Sequence, residues 1–220
     1  MHRRQFLTLT VSGAGGLLVY KLGQLSVPGA AQNRTVRIPL KFFTEQEALD
    51  VGAAAARIFP SDESGPGATE AGVVIFIDRQ LNGPYGRDRR RYTQPPFEDA
   101  SPEFGYQGKA TPREVYREGL KTIAGLHRLT PEEQDRKLRE IESTVFFTFL
   151  RTHTIQGMFS DPMHGGNKDM IGWQLIGFPG PRMSYRQEVD QYYGRPFRPK
   201  PMSLREVTGK RVRPGEEEES

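Results

Sequence analysis

Thr69-Glu70-Ala71-Gly72-Val73-Val74-Ile75-Phe76-Ile77-Asp78-Arg79-Gln80-Leu81 is the stretch whose reading decides the fold class. Its β-branched and aromatic run, Val73 to Ile77, suits a strand by composition. A strand needs hydrogen-bonded neighbours, and no adjoining segment alternates apolar and polar residues as a partner strand would. The run is also long for a strand and continues without a turn signal to Leu81. We therefore read residues 69–81 as a buried helix, and the class as mainly α: a single compact helical domain with long Gly/Pro-rich loops and an extended C-terminal tail.

The segments on either side support that reading. Upstream, residues 32–43 form a short extended lead. Thr44-Glu45-Gln46-Glu47 then has the pattern of a capping box, in which the Thr hydroxyl accepts the N3 amide and the Glu carboxylate returns to the cap amide. Ala48, Leu49, Val51, Ala55, Ile58 and Phe59 follow at helical spacing, and Pro60 with the Ser61–Gly67 cluster ends that helix. Downstream, Thr111-Pro112-Arg113-Glu114 combines a capping Thr, Pro at the first helical position and Glu at N3, and opens a helix through Tyr116, Leu120, Ile123 and Ala124. Thr130-Pro131-Glu132-Glu133 repeats this chemistry and starts a charged helix to about Glu142. Ser143–Met158, with Val145, Phe146, Phe147, Phe149 and Leu150, is expected to be a core helix.

Between Asn82 and Ala110 the chain is rich in Gly, Pro, aromatic and charged residues, long for an unstructured loop in a compact domain. Tyr92, Phe97, Phe104 and Tyr106 are candidate contacts there, with packing on their own domain the equal alternative. From Pro196 several prolines and the terminal Glu216–Glu219 predict an extended or disordered tail over 196–220. No internal repeat is present.

The first eight residues, Met1-His2-Arg3-Arg4-Gln5-Phe6-Leu7-Thr8, have the pattern of a twin-arginine export signal, carried by Arg3, Arg4, Phe6 and Leu7. His2 stands where Ser or Thr usually precedes the arginines. The uncharged stretch from Gln5 to Tyr20 is shorter and less apolar than the ~20 residues a spanning helix needs. Gly29 and Ala31 satisfy a small-x-small rule, so residues 1–31 are expected to be the signal and residues 32–195 the domain. The full chain has 31 basic and 27 acidic residues, formally +4. Arg3, Arg4 and Lys21 belong to the signal, leaving 28 against 27, so the mature chain is nearly neutral and offers no general argument for nucleic acid. The runs Arg87–Arg91 and Arg195–Lys200 read most simply as solvated loops, with a docking role the minor alternative.

The chain has no cysteine, which excludes disulfides, thiolate zinc sites, cysteine-ligated iron–sulfur clusters and covalent haem attachment. His127 and His153 have no carboxylate or histidine at close helical ligand spacing. Asp161, His164 and Asp169 are near one another in sequence but lack a metal-site signature. Gly165-Gly166-Asn167-Lys168 is only superficially a phosphate loop, and neither a dinucleotide fingerprint nor a nucleophile elbow occurs. The pairs Glu132/Glu133 and Asp99/Glu103 read as surface or cap residues. No catalytic constellation emerges, so an exported chain that travels folded points to a partner carrying the cofactor.

One constellation remains. Asp161-Pro162-Met163-His164-Gly165-Gly166-Asn167 is followed by Trp173 and by Ile176-Gly177-Phe178-Pro179-Gly180-Pro181. In order and spacing these elements resemble the small (gamma) subunit, or subunit 3, family of gluconate 2-dehydrogenase. Phe43-Thr44, Ile58-Phe59-Pro60 and Ala68–Val73 also fit, so the resemblance covers roughly residues 42–181. His164 occupies a position often aromatic in the family, and the Arg87–Arg91 loop is not part of its pattern. The resemblance implies an accessory, non-catalytic subunit with no cofactor of its own. Its implied partner is a large FAD-containing flavoprotein of the glucose–methanol–choline type that oxidises a sugar or sugar acid. A membrane-associated multihaem cytochrome c subunit that passes electrons to quinone joins many such complexes. The small subunit would bring the export signal, placing both proteins in the periplasm.

Within the motif, Asp161, Pro162, His164, Gly165, Gly166, Asn167, Trp173, Gly177, Phe178, Pro179 and Gly180 are candidates for the partner interface or its support. The glycines permit close approach, the prolines stiffen the loops, and Trp173 is either a docking anchor or a core residue. As an anchor, its truncation should weaken the complex and spare the fold. Two other readings compete: a stand-alone periplasmic enzyme using a metal at His164, Asp161 and Asp169, and a structural periplasmic binding protein.

Overall fold

A computed structural model describes residues 17–21, 35–89, 97, 101–182, 184–197 and 199–209. The export motif (Arg3, Arg4, Phe6, Leu7), Tyr92, Asp99, the Arg90-Arg91 end of the basic run and the terminal acidic run lie outside the described residues. The class is mainly α, as the sequence predicts. The helices are α1 (Glu45–Ile58), α2 (Val73–Asn82), α3 (Pro112–Thr122), α4 (Pro131–Glu140), α5 (Val145–Phe159), α6 (Ile171–Ile176), α7 (Arg186–Tyr192) and α8 (Leu204–Thr208). One antiparallel pair, β1 (Leu17–Lys21) and β2 (Thr35–Pro39), runs from Leu17 opposite Pro39 to Lys21 opposite Thr35. β1 lies within the predicted signal, and β2 within the predicted extended lead. Among the described residues, no helix is long and apolar enough to cross a membrane.

The decisive stretch is helical from Val73 onward, while Thr69–Gly72, expected to be helical too, form the turn before it. Every residue from Ala71 to Asp78 is buried, and Val73 and Ile77 are fully so. The first half of α2, Val73–Ile77, is apolar on all sides, and such a segment must be enclosed by protein. That is why the Val73–Ile77 run has no polar face and looks like a strand.

The chain separates into two compact units, residues 1–54 with 78–147 and residues 55–77 with 148–220; the boundaries fall inside α1, α2 and α5. The first unit has an aromatic core. Tyr116 on α3 meets the Phe146 ring edge-to-face at 5.3 Å, and Phe42 meets Phe43 at 5.2 Å. Phe146 lies so close to Gly119 that a β-carbon there would come within 2.0 Å of its ring. All three predicted capping boxes form. Thr44, Thr111 and Thr130 accept the amides of Glu47, Glu114 and Glu133, and those carboxylates bond back to the threonine amides. Burial pushes Glu47 up, but the Thr44 amide and the Arg117 guanidinium outweigh it and hold the carboxyl below its usual range. Arg117 bonds Glu47 at 2.8 Å and the Phe42 carbonyl at 2.7 Å while stacked 3.9 Å over the Phe42 ring.

Two buried carboxylates organise the same unit. Asp78, 1% exposed, accepts the amides of Lys41 through Oδ2 at 2.8 Å and of Phe42 and Phe43 through Oδ1 at 2.9 Å each. It thereby fixes the chain entering α1. Asp50 on α1 accepts the amides of Gly125 and His127, and its Oδ1 lies 2.6 Å from His127 Nδ1. The turn between α3 and α4 is thus fastened to α1.

In the second unit Phe59 meets Phe159 edge-to-face at 5.8 Å, and the Phe59 carbonyl accepts the Ala68 amide. Val73 and Phe76 of α2 approach α5 at Gly157, where a β-carbon would sit 3.1–3.3 Å from their side chains. The expected core helix, α5, has a mixed character. Leu150, Thr154 and Met158 are fully buried, whereas Ile155 is exposed. His153, 3% exposed, also points inward, and burial lowers its pKa to about 4.

That shift has a defined sign. Well above pH 6.5 the imidazole is neutral in both folded and unfolded chains, and stability is unaffected. As pH falls from 6.5 toward 4, the unfolded chain takes a proton that the folded chain refuses, and stability declines. Between pH 7 and pH 5 the loss should be about 2 kcal/mol for this group. Denaturant titrations at both pH values, on wild type and His153→Gln, measure it. The neutral glutamine should remove most of the difference, and an equal pH dependence in both proteins would refute the assignment.

Candidate functional site

The segment from Asp161 to Gly180 begins where α5 ends. The last turn of any helix leaves carbonyls without intrahelical partners, and here three of them must be satisfied in a protein interior. The Gly157 carbonyl accepts the Asn167 amide at 2.7 Å, the Ser160 carbonyl the Asn167 Nδ2 group at 2.8 Å, and the Phe159 carbonyl the Trp173 indole N–H at 2.7 Å.

Asn167 joins both ends of this joint. It is fully buried, and its backbone adopts φ 44° and ψ 43°, a left-handed conformation that asparagine tolerates better than most residues. Its Oδ1 accepts the Gly172 amide at 2.8 Å, satisfying a donor in the first turn of α6. One side chain therefore donates to the end of one helix and accepts from the start of the next. Gly166 and Gly172 allow the approach. A β-carbon on Gly166 would lie 2.3 Å from the Gly157 carbonyl oxygen, and one on Gly172 would lie 2.0 Å from that of Met158. The Lys168 amide also donates to the Ala71 carbonyl, tying the joint to the turn before α2.

Asp161 caps the short 3-10 turn Pro162–His164, with Oδ1 accepting the Met163 amide. Its Oδ2 accepts the Leu204 amide at 2.6 Å. Gly165 and Gly177 take positive φ at the ends of this turn and of α6. His164 is half-buried beside them. Phe178 meets Trp173 edge-to-face at 5.1 Å and is 40% exposed, and the Pro179 carbonyl accepts the Met202 amide.

The structure thus gathers Asp161, Gly166, Asn167 and Trp173 into a helix-to-helix joint. Of the two readings of Trp173 that the sequence leaves open, docking anchor or core residue, the packing favours the core. The ring is 3% exposed and its N–H is spent on Phe159, so truncation removes core volume and a capping donor together. Of the named residues, Phe178 and Gly177 are exposed at the surface of the joint. The metal reading gains no support from the same geometry. Both Asp161 oxygens serve backbone amides, and Asp169 is exposed with its carboxylate 3.9 Å from Lys168 Nζ. Among the described residues, no three His, Asp or Glu side chains are grouped as a metal ion would require.

Three features escaped the sequence reading. Asp50 and Asp78 sit on buried helix faces, and the only available signal was a lone acid inside an apolar periodic stretch. The predicted extended tail contains α8, whose Ser203–Glu206 capping box is a sequence pattern like the three recognised elsewhere. The candidate contacts Phe97 and Phe104 are exposed, and Tyr106 is half-buried, with its ring against Gly108.

Residues 45–180 match the family model for gluconate 2-dehydrogenase subunit 3. No curated protein and no solved structure matches the chain. The joint just described lies within the matched region, and the match spans more than half of the chain, which therefore belongs to that family.

Proposed function

We propose that this member of the gluconate 2-dehydrogenase subunit 3 family is the non-catalytic small subunit of an exported, FAD-dependent sugar or sugar-acid dehydrogenase. The observation that carries the reading is the family match over residues 45–180. The family name is that of a subunit of a dehydrogenase complex, so partner subunits follow from membership. FAD belongs to the large flavoprotein partner, and a membrane-associated cytochrome c subunit is the expected electron carrier to quinone. Arg3 and Arg4 address the pair, already folded, to the twin-arginine route and the periplasm.

In this role the chain's own chemistry is structural. It presents a folded surface to the flavoprotein and stabilises it by mass action, since a partner that binds only the folded form shifts folding toward that form. The test is export of both proteins. With Arg3 and Arg4 replaced by Lys, this chain and the flavin-bearing partner should both remain in the cytoplasm. Periplasmic flavoprotein in the presence of that variant would refute shared export. A flavin-free preparation of the wild-type chain purified from the periplasm would refute the complex itself.

A further inference from the structure

Beyond the family-matched region the chain makes an excursion whose two ends are fastened together. It leaves at Gly180 and returns at Met202, whose amide donates to the Pro179 carbonyl at 3.2 Å. Gly180 has a positive φ, and a β-carbon there would lie 1.9 Å from the Met202 carbonyl oxygen. Two residues on, the Leu204 amide is held by Asp161 Oδ2 at 2.6 Å. The base of the excursion is therefore part of the joint that closes α5 onto α6. Long loops with closed, packed ends are usually functional.

The excursion has internal order. Arg182 pairs with Glu188 and lies over the rings of Tyr185 at 5.9 Å and Phe197 at 5.3 Å, and Phe197 packs on Tyr192 at 4.9 Å. What it presents outward is apolar and aromatic. Tyr185, at the N-cap of α7, and Val189, one turn into it, are 43% and 59% exposed, and Tyr193 just after the helix is 88% exposed. Of the fourteen large apolar side chains exposed among the described residues, Tyr185, Val189, Tyr192 and Tyr193 lie on the excursion, Met202 is at its base, and Ile176, Phe178, Leu204 and Val207 flank it. Exposed apolar residues scattered singly need no explanation, but concentration on one tethered arm does. Tyrosine and arginine are the residue types enriched in protein interfaces.

We infer that this arm, through Tyr185, Val189 and Tyr193, is the surface that docks the FAD-bearing subunit. The inference rests on the proposed function for the identity of that partner. It moves the interface away from the buried motif around Trp173 and onto the chain that the motif anchors. Arg186, Arg195, Lys200 and Arg205 exceed Asp190 and Glu206 around the arm, so the matching face should be acidic at its rim.

The test co-expresses the full chain with the flavoprotein subunit and reads flavin absorbance per mole of purified chain. Tyr185→Ser/Val189→Ser/Tyr193→Ser should keep the wild-type thermal midpoint and lose at least about tenfold in recovered flavin, as expected for loss of interface hot spots. If the triple variant does not fold, Tyr193→Ser alone, at the most exposed position, carries the same expectation. Ile155→Ser, an exposed apolar position on α5 in the same unit and not part of the arm, should keep its flavin. Undiminished flavin in a folded arm variant overturns the inference and leaves the proposed function standing. An equal loss in Ile155→Ser also overturns it. If the arm variants instead convert a wild-type dimer to monomer and keep their flavin, the arm holds a second copy of this chain and the inference is wrong. A wild-type chain that recovers no flavoprotein overturns both the inference and the reading beneath it.

Discussion

Replacing Asp78 with Ala should destabilise the chain by about 2–6 kcal/mol, since each of the two buried amides, Phe42 and Phe43, left without an acceptor costs about 1–3 kcal/mol. The amides of Lys41, Phe42 and Phe43 would all lose their partner. Phe42, Phe43 and Asp78 are all buried, so water cannot readily replace the lost carboxylate. Asp78→Asn separates shape from chemistry. Its single carbonyl oxygen can still serve Phe42 and Phe43, while its NH2 group faces the Lys41 amide. The expected cost is that of one broken contact, about 1–3 kcal/mol. Urea titration of the three proteins at neutral pH gives the ranking wild type, Asn, Ala. A loss below about 1 kcal/mol for Ala would mean that the segment before α1 finds other partners.

The second large effect is expected at Asn167. Asn167→Asp keeps size and backbone preference but exchanges the Ser160 donor for a buried negative charge. Removing one partner from a buried polar contact while leaving an unpaired charge costs about 3–5 kcal/mol. Asn167→Gly keeps the left-handed backbone at no steric cost and loses both side-chain bonds, which at about 1 kcal/mol each plus a partly exposed carbonyl gives a smaller loss, near 2–3 kcal/mol. The measurable signature is the order of the two variants in thermal and denaturant unfolding, together with their recovery of flavin. Both should fail to recover the partner only in proportion to their loss of folded chain. If Asn167→Asp proved fully stable yet lost the partner, the motif would be a contact surface after all, and the capping account of it would be wrong.

These two residues show why local and long-range features differ in legibility. The capping boxes at Thr44, Thr111 and Thr130 link residues three apart, so the pattern itself contains both partners. Asp78 reaches amides 35–37 residues away, and Asp50 reaches His127 across 77. Nothing local distinguishes such an aspartate from a solvated one. The family motif was legible as a pattern, but its physical role was not. Glycine, proline, asparagine and tryptophan at those spacings suit a docking loop and a helix joint equally well. Depth of burial separates the two, and it is a property of the packed chain.

α2 marks the same division. Its apolar run reads as a helix because no partner strand is available in the sequence around it, whereas the start at Val73 rather than Thr69 is visible only in the fold. Family membership, the helix starts and the absence of cysteine chemistry are likewise properties of the string of residues, since each depends on identity and short spacing. The tertiary structure alone decided that Trp173 faces inward, that Asp50 and Asp78 are acceptors for distant amides, and that Met202 and Leu204 return to Pro179 and Asp161. Each of these depends on which distant segments come together. That is set by the simultaneous need to bury apolar surface and to leave no interior amide or carbonyl unpaired.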